Sequence, residues 1–363
     1  MKYIKLDNFD QDIACIALGV NKTGSKINAT TDSEQKRISF YHEAMDLGVN
    51  TFDTAELYGG GYSEEILGKA LLGRRSKAII CTKFNAQNSK SDKLQTSLEN
   101  SLKRLKTDYI DFYIAHWPNP NVPIPELVYT LQQLQLQGKI KAFGISNAVS
   151  SEIRKFNSCC KGELFAVENE YNLIEREADE QILPFCSVNK CLFFAYSPLL
   201  AGKPITINKE IQLILEKYKC TIHQLYLAWV NRPGRPLISI IRTTNISHLQ
   251  ENIAAMQIAL APEDIETIES YFNVTKETVS LDKIVLDDRS YLNLQDAINN
   301  EKDLIPSPQL LSERLQHGLC LPPLKLYKQD GKYRIQDDQY INEVRKYWAH
   351  RINNETSIKA YIQ

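Results

Sequence analysis

Four side chains in the first third of the chain have the types and placement for proton chemistry: Asp53, Tyr58, Lys83 and His116. They fall in FDTAELYG (52–59), IICTKF (79–84) and DFYIAHWP (111–118), each at or just after the end of an apolar run. A tyrosine hydroxyl is a weak acid, with a reference pKa of about 10. A neighbouring ammonium makes it a better proton donor, and a carboxylate keeps that ammonium charged and in place. Asp53, Lys83 and Tyr58 supply those three parts, and His116 supplies a ring that can orient a carbonyl oxygen beside the phenol. The set suits protonation of a carbonyl oxygen as a hydride arrives from a nicotinamide. Taken singly, each residue has a plainer reading: a packed tyrosine, a helix cap, a solvated strand end, a core histidine. Their joint occurrence at strand ends favours chemistry.

Such positions require a scaffold that gathers strand ends at one face. Apolar runs alternate with amphipathic stretches along most of the chain. Strands are predicted over Asp12–Leu18, Asn50–Phe52, Lys77–Lys83, Tyr109–His116, Ile140–Ile145, Leu164–Glu168, Cys191–Tyr196 and Leu237–Ile241. Helices are predicted over Ser33–Leu47, Ser63–Leu72, Asp92–Leu105, Ile124–Gln137, Ser150–Phe156, Ala178–Ser187 and Ile207–Val230, followed by Ser247–Gln257 and Pro262–Phe272. Eight strands alternating with helices imply an α/β fold, a (β/α)8 TIM barrel, whose active-site mouth lies at the C-terminal strand ends. A doubly wound open sheet would call for a GxGxxG loop after the first strand, which Gly19 and Gly24 do not form.

These motifs together resemble the aldo-keto reductase family from about residue 13 to about residue 272. Beyond the four residues, the resemblance rests on IALGVNKTG (16–24), GISNA (144–148), VENEYNL (167–173), Tyr196-Ser197-Pro198-Leu199 and the pair Glu251-Asn252. It implies an NADP(H)-dependent reductase in which Tyr58 donates the proton. It places Ser146, Asn147 and Glu168 at the nicotinamide carboxamide and Tyr196 against the ring, with Ser197 and Leu199 beside it. It assigns Arg242, Thr243, Thr244 and His248 to the adenosine phosphate end, with Glu251 and Asn252 at the adenine. A guanidinium at Arg242 can grip a 2′-phosphate bidentately, which favours NADP(H) over NAD(H), and helix amides after Asn245 would add to the anion's binding. Trp117, with Tyr58 and His116, would line the substrate pocket. The polar first loop (Asn21, Lys22, Thr23, Ser25, Lys26) and the loop Asn119-Pro120-Asn121 suit a hydroxylated or anionic carbonyl compound, such as a sugar derivative.

Three departures from the family pattern stand out. Glu168 replaces the usual glutamine, the loop Leu200–Glu210 is short, and Ile240-Ile241-Arg242 replaces Ile-Pro-Gly. The shorter loop predicts faster cofactor exchange or weaker binding.

Residues 273–363 exceed what a barrel needs. They carry a predicted helix at Leu310–Gly318, strands at Leu324–Lys328 and Lys332–Gln336, a helix at Asn342–Ile352 and a final strand at Ile358–Ile362. This stretch resembles the small α+β fold of the ParB N-terminal domain and sulfiredoxin. Its Asn342-Glu343-Val344-Arg345 keeps the glutamate and arginine of a Gly-Glu-x-Arg phosphate motif without the glycine. The domains are thus expected at 1–272 and 273–363, the second a candidate for a nucleotide or protein partner. Two other functions remain open: an NADP(H)-sensing interaction protein with a weakly active barrel, and a bifunctional protein whose tail handles phosphate.

Composition bounds the rest. The chain has 363 residues, 43% hydrophobic, and a formal net charge of -1. That balance gives no electrostatic reason to expect nucleic acid or a membrane surface as partner. The first residues, MKYIKLDNFDQDI, lack the apolar centre of a signal peptide, so a cytoplasmic protein is expected. The eight cysteines form no CxxC pair and no zinc-ligand spacing, which predicts reduced thiols and no metal.

Overall fold

Alternation along the strands decides what the inside of this molecule contains. Successive side chains on a strand face opposite sides, so residues two apart share a face. On the strand Ile79–Phe84, that places Ile79, Cys81 and Lys83 in one row. Ile79 and Cys81 belong to the interior apolar cluster with Ala17, Phe112, Ile114, Ala142, Ala166, Leu192, Phe194, Ile238 and Ile240. Lys83 continues that row toward the C-terminal end. The same step carries Ile114 to His116 and Ala166 to Glu168. Polar chemistry therefore begins where the apolar layers stop.

A computed structural model describes residues 1–6, 9, 11–21, 30–200, 206–273, 275–286, 307–319, 321, 323–335 and 342–362. The chain divides into two compact units, 1–118 with 122–271, and 272–363 with 119–121. In the first, the strands are β1 (Tyr3–Ile4), β2 (Ile13–Ala14), β3 (Ile16–Gly19), β4 (Thr51–Asp53), β5 (Ile79–Phe84), β6 (Ile110–Ala115), β7 (Ile140–Ser146), β8 (Phe165–Glu170), β9 (Cys191–Tyr196) and β10 (Leu237–Ile241). Strands β3 to β10 close into a parallel barrel, with β10 returning to β3. This is the predicted (β/α)8 architecture. The sequence did not announce β1, which pairs antiparallel with β2. Phe9, between β1 and β2 in the chain, stacks on Phe112 with centroids 4.9 Å apart. Gly144 on β7 has a steric purpose, because a Cβ there would lie 2.4 Å from the Ala166 carbonyl oxygen on β8.

The helices follow the expected ones with one correction. The predicted helix Ile207–Val230 is two helices, Lys209–Tyr218 and Ile222–Val230. Lys219 ends the first in the left-handed region at φ 50. Thr221 then starts the second with a capping box to Gln224. The Thr-x-x-Gln signal was present in the sequence, but continuous apolar spacing masked it.

The second unit has a five-stranded mixed sheet. Its strands are β11 (Thr275–Ser280), β12 (Ile284–Val285), β13 (Leu324–Gln329), β14 (Lys332–Ile335) and β15 (Ser357–Ile362), in the order β11-β15-β13-β14-β12. Asp330 and Gly331, at φ 51 and 75, turn the β13–β14 hairpin in the mirror-image geometry that matches strand twist. Helices Pro308–Gln316 and Asn342–Ile352 accompany the sheet. Val279, Leu281, Leu324, Leu326, Val344, Trp348, Ile358 and Ala360 contribute to its own core. Strands β11 and β12 were not anticipated; β11 reads TKETVS, with too few apolar residues to mark a strand.

Among the described residues no helix is long and apolar enough to cross a membrane. The seven described cysteines are unbridged, and Cys186 and Cys191 bring their sulfurs within 3.0 Å of each other. Cys320 lies outside the described residues.

Candidate active site

Lys83 is fully buried, and an ammonium without water needs charged partners. Its Nζ donates to Asp53 Oδ1 at 2.5 Å and to the Thr54 carbonyl oxygen at 3.0 Å. It also lies 3.2 Å from Glu168 Oε1. Asp53 ends β4, Lys83 lies near the end of β5 and Glu168 on β8, so the barrel's closure brings all three together. Sequence reasoning paired Lys83 with Asp53 only; the contact with Glu168 depends on two strands that are not neighbours. Cys81 completes the cluster, with its sulfur 4.0 Å from Glu168 Oε2. Ligand-type atoms of Asp53, Cys81 and Glu168 lie within 4.8 Å of one another, but Lys83 is the cation they surround.

The electrostatics follow from burial. Burial raises the Asp53 pKa above its ordinary value, although Lys83 acts against this. Burial, with the Asp53 charge second, lifts Glu168 to about 8. For Lys83, burial opposes the charge, but the Asp53 and Glu168 carboxylates more than offset it and hold its pKa well above the ordinary lysine value. Burial likewise keeps the Cys81 thiol neutral, its pKa well above the usual range.

Tyr58 stands beside this cluster. The Lys83 Nζ is 5.4 Å from its ring centroid, and the His116 ring meets it edge-on at 5.7 Å with an interplanar angle of 85°. Tyr58 opens the tight turn Tyr58–Gly61, in which Gly59, Gly60 and Gly61 all have positive φ. Glu56 anchors that segment. It accepts from the Asn85 backbone N–H at 2.6 Å, from Asn88 Nδ2 at 2.8 Å and from the Ser97 hydroxyl. Sequence reasoning missed Glu56, because a half-buried glutamate in a loop carries no pattern of its own. His116 follows β6, its N–H donating to the Phe84 carbonyl oxygen at 2.9 Å. Trp117 is half-buried next to it.

Four consecutive strands, β7 to β10, carry most of the residues expected at a dinucleotide. Ser146 is buried at the end of β7. Asn147, at φ 56, donates to the His116 carbonyl oxygen at 2.9 Å and to Ser146 Oγ at 3.1 Å. The Tyr196 hydroxyl donates to Asn147 Oδ1 at 2.7 Å, which fixes the half-buried Tyr196 ring at the end of β9. Ser197 adopts φ 54, and its carbonyl oxygen accepts from Asn172 Nδ2 at 3.2 Å. Leu199 is half-buried in the same turn.

After β10, Arg242 and Thr243 are half-buried, while Thr244 and His248 are exposed. The Thr243 hydroxyl accepts from the Asn245 N–H at 3.0 Å. Asn245 caps helix Ile246–Ala254, its side chain accepting from the Ser247 and His248 amides. Those two amides, which the sequence had offered to an anion, are thus engaged by the cap. Arg242, the Thr244 hydroxyl and the His248 imidazole lie in the same segment. Glu251 accepts from the Thr221 hydroxyl at 2.5 Å, and Asn252 is buried. Of the first loop, Asn21 is half-buried, whereas Lys22, Thr23, Ser25 and Lys26 lie outside the described residues, as do residues 201–205 of the short loop.

In the second unit, Glu343 accepts from the Lys325 N–H at 2.8 Å and pairs with Lys346 at 2.8 Å. Glu343, Arg345 and Lys346 are all buried.

Comparison with known proteins matches residues 15–272 to the aldo/keto reductase family. The chain is 37% identical over 212 residues to aldo-keto reductase YhdN of Bacillus subtilis (strain 168), covering 56% of this chain and 63% of that relative. It is 28% identical over 292 residues to methylglyoxal reductase YeaE of Escherichia coli (strain K12), covering 77% of this chain and 99% of that one. Among solved structures it resembles the thermostable aldo-keto reductase Tm1743 in complex with epalrestat, with a TM-score of 0.68 at 30% identity, covering 74% of this chain and 99% of that one. It also resembles an aldo/keto reductase from Klebsiella pneumoniae solved with NADP and acetate, with a TM-score of 0.63 at 26% identity, covering 72% and 92%.

Proposed function

The chain belongs to the aldo/keto reductase family, and from that premise we propose that it is an NADP(H)-dependent oxidoreductase that reduces an aldehyde, ketone or sugar carbonyl to an alcohol. The observation that carries this reading is the buried Lys83, bonded to Asp53 at 2.5 Å and set beside the Tyr58 ring at the barrel's C-terminal end. Structural relatives solved with NADP or NADPH support the cofactor. So does the donor set of this chain: a ring at Tyr196 held by a hydrogen bond, amide and hydroxyl groups at Asn147 and Ser146, and a guanidinium at Arg242.

When bound, NADPH supplies the hydride. Tyr58 gives the proton from its hydroxyl to the carbonyl oxygen. Lys83 favours the phenolate left behind, and Asp53 holds Lys83 in place. His116 orients the carbonyl oxygen, and Trp117 lines the pocket. Tyr196 would hold the nicotinamide ring, Ser146 and Asn147 would offer polar groups to its carboxamide, and Arg242 would bind the 2′-phosphate. The oxidation of an alcohol uses the same groups in reverse.

We read the C-terminal unit as a ParB/sulfiredoxin-like accessory domain in a cytoplasmic enzyme. The buried Glu343–Lys346 pair and the Lys325 contact support reading its motif as packing rather than phosphate binding, with the barrel as the seat of chemistry. The test is to titrate the full chain with NADPH and NADH by nucleotide fluorescence, then screen aldehydes, ketones and sugar carbonyls for NADPH oxidation. Selective NADPH binding with turnover supports the reading. Binding without turnover would leave a cofactor-sensing protein in its place.

A further inference from the structure

We propose that Glu168 acts as a proton-controlled selector between the two redox states of the cofactor, favouring the oxidised form when ionised and losing that preference when protonated. This rests on the cofactor reading above.

The buried cluster is unbalanced in charge. One ammonium, Lys83, faces two carboxylates, Asp53 at 2.5 Å and Glu168 at 3.2 Å, and all three are buried. Lys83 neutralises one carboxylate. A second negative charge without water carries a large desolvation cost, so the cluster is favoured with a proton on it. Asp53 has the shorter ion pair with Lys83, which leaves Glu168 as the site of the proton. The raised Glu168 pKa agrees with this assignment. Facing Glu168 are Asp53 from β4, and Cys81 and Lys83 from β5; Tyr58 and His116 lie beyond Lys83. From the flanking strands β7 and β9, the residues in register are Ser146 and Phe194, neither of which titrates in the accessible range.

The protonation state matters because of where Glu168 stands. On β8 it lies in register with Ser146, and its carbonyl oxygen accepts from the Asn147 N–H at 3.0 Å. Both residues belong to the set read above as meeting the carboxamide. A protonated glutamic acid both donates and accepts a hydrogen bond, as does the glutamine usual at this position in the family; an ionised one only accepts. The oxidised nicotinamide ring carries one more positive charge than the reduced ring. Ionised Glu168 therefore stabilises the oxidised ring by Coulomb attraction, while protonated Glu168 removes that preference. Loss of the proton to solvent as pH rises shifts the preference of the site from the reduced toward the oxidised dinucleotide.

The experiment is to measure Kd for NADPH and, by displacement, for NADP+ across pH 6.5 to 9, in the wild-type chain and in Glu168→Gln. The 2′-phosphate is common to both dinucleotides and cancels in the ratio. In the wild type, Kd(NADPH)/Kd(NADP+) should rise roughly tenfold over this range, the size expected for one unit charge nearby at intermediate effective dielectric. In Glu168→Gln it should stay within about twofold. Infrared spectroscopy of the wild type gives a second reading that needs no variant: a buried protonated-carboxyl band that disappears as pH rises. A flat ratio in the wild type overturns the proposal, as does an unchanged pH trend in Glu168→Gln or the absence of that band. Failure to bind either dinucleotide at any pH overturns the cofactor reading and this inference with it.

Discussion

The Asn147 side-chain amide donates to the backbone carbonyl oxygen of His116 at 2.9 Å, tying the residue after β7 to the residue after β6. The same side chain accepts from the Tyr196 hydroxyl after crossing to β9. One asparagine thus fixes the histidine backbone, the tyrosine ring and, through Ser146 Oγ, the end of its own strand. Its φ of 56 lies in the left-handed region, which asparagine tolerates better than most residues. Asn147→Ala should weaken NADPH binding and lower kcat, each by roughly tenfold, as expected for losing about one to two hydrogen bonds' net contribution. Fluorescence titration and steady-state kinetics measure the two effects. Unchanged values for both would mean that this link is dispensable.

Tyr58 carries the proposed proton transfer. Tyr58→Phe keeps the ring, and with it the edge-on contact with His116, but removes the hydroxyl. Turnover should fall by about 10²–10⁴-fold, the usual contribution of general acid catalysis. The Kd for NADPH should change little. Substantial residual turnover on the best substrate would point to a different proton donor.

Lys83 holds two buried carboxylates together. Lys83→Met leaves Asp53 and Glu168 buried without their cation, and should destabilise the fold by about 3–5 kcal/mol at neutral pH. The loss should shrink in mild acid, where protonation removes the buried charges. Urea unfolding at pH 5 and pH 7.5 compares the two conditions directly.

The stability of the wild type itself should depend on Glu168. Its pKa is about 8 in the folded chain, against a reference of about 4.3 when unfolded. A folded state that holds the proton more tightly gains stability that is fully present below about pH 4 and is lost as pH rises through about 8. The stability of the wild type relative to Glu168→Gln should therefore decline across that window, by as much as a few kcal/mol. Unfolding curves of both proteins at several pH values test the sign. A difference that grows with pH would contradict it.

Arg242 is assigned to the 2′-phosphate. Arg242→Ala should weaken NADPH binding by roughly 10- to 100-fold, the scale of a charge-assisted hydrogen-bonded contact, and leave NADH binding nearly unchanged. Parallel titrations distinguish the two. Equal losses for both dinucleotides would remove the assignment.

What the sequence determined by itself is the frame and the cast. Apolar runs of strand length alternating with amphipathic stretches specify eight βα units, because side-chain period alone distinguishes a buried strand from a one-faced helix. Motifs at strand ends single out Asp53, Tyr58, Lys83 and His116 as candidates, because a parallel barrel exposes those ends at one mouth. The break at Lys219 was also written there, in the Thr221 and Gln224 capping pair, but was hidden by apolar spacing on both sides. Tertiary structure alone decided which of these side chains meet. Glu168 reaches Lys83 only because closing the sheet brings β8 toward β5 across the interior, a distance that no local spacing encodes. Asn245 takes up the helix amides that the sequence left open to an anion, since a cap depends on backbone angles as well as residue type. Glu56 becomes the anchor of the Tyr58 turn through Asn85, Asn88 and Ser97, three partners from a different βα unit. Local pattern specifies the elements, whereas contacts between distant strands exist only once burial and closure have fixed where each side chain points.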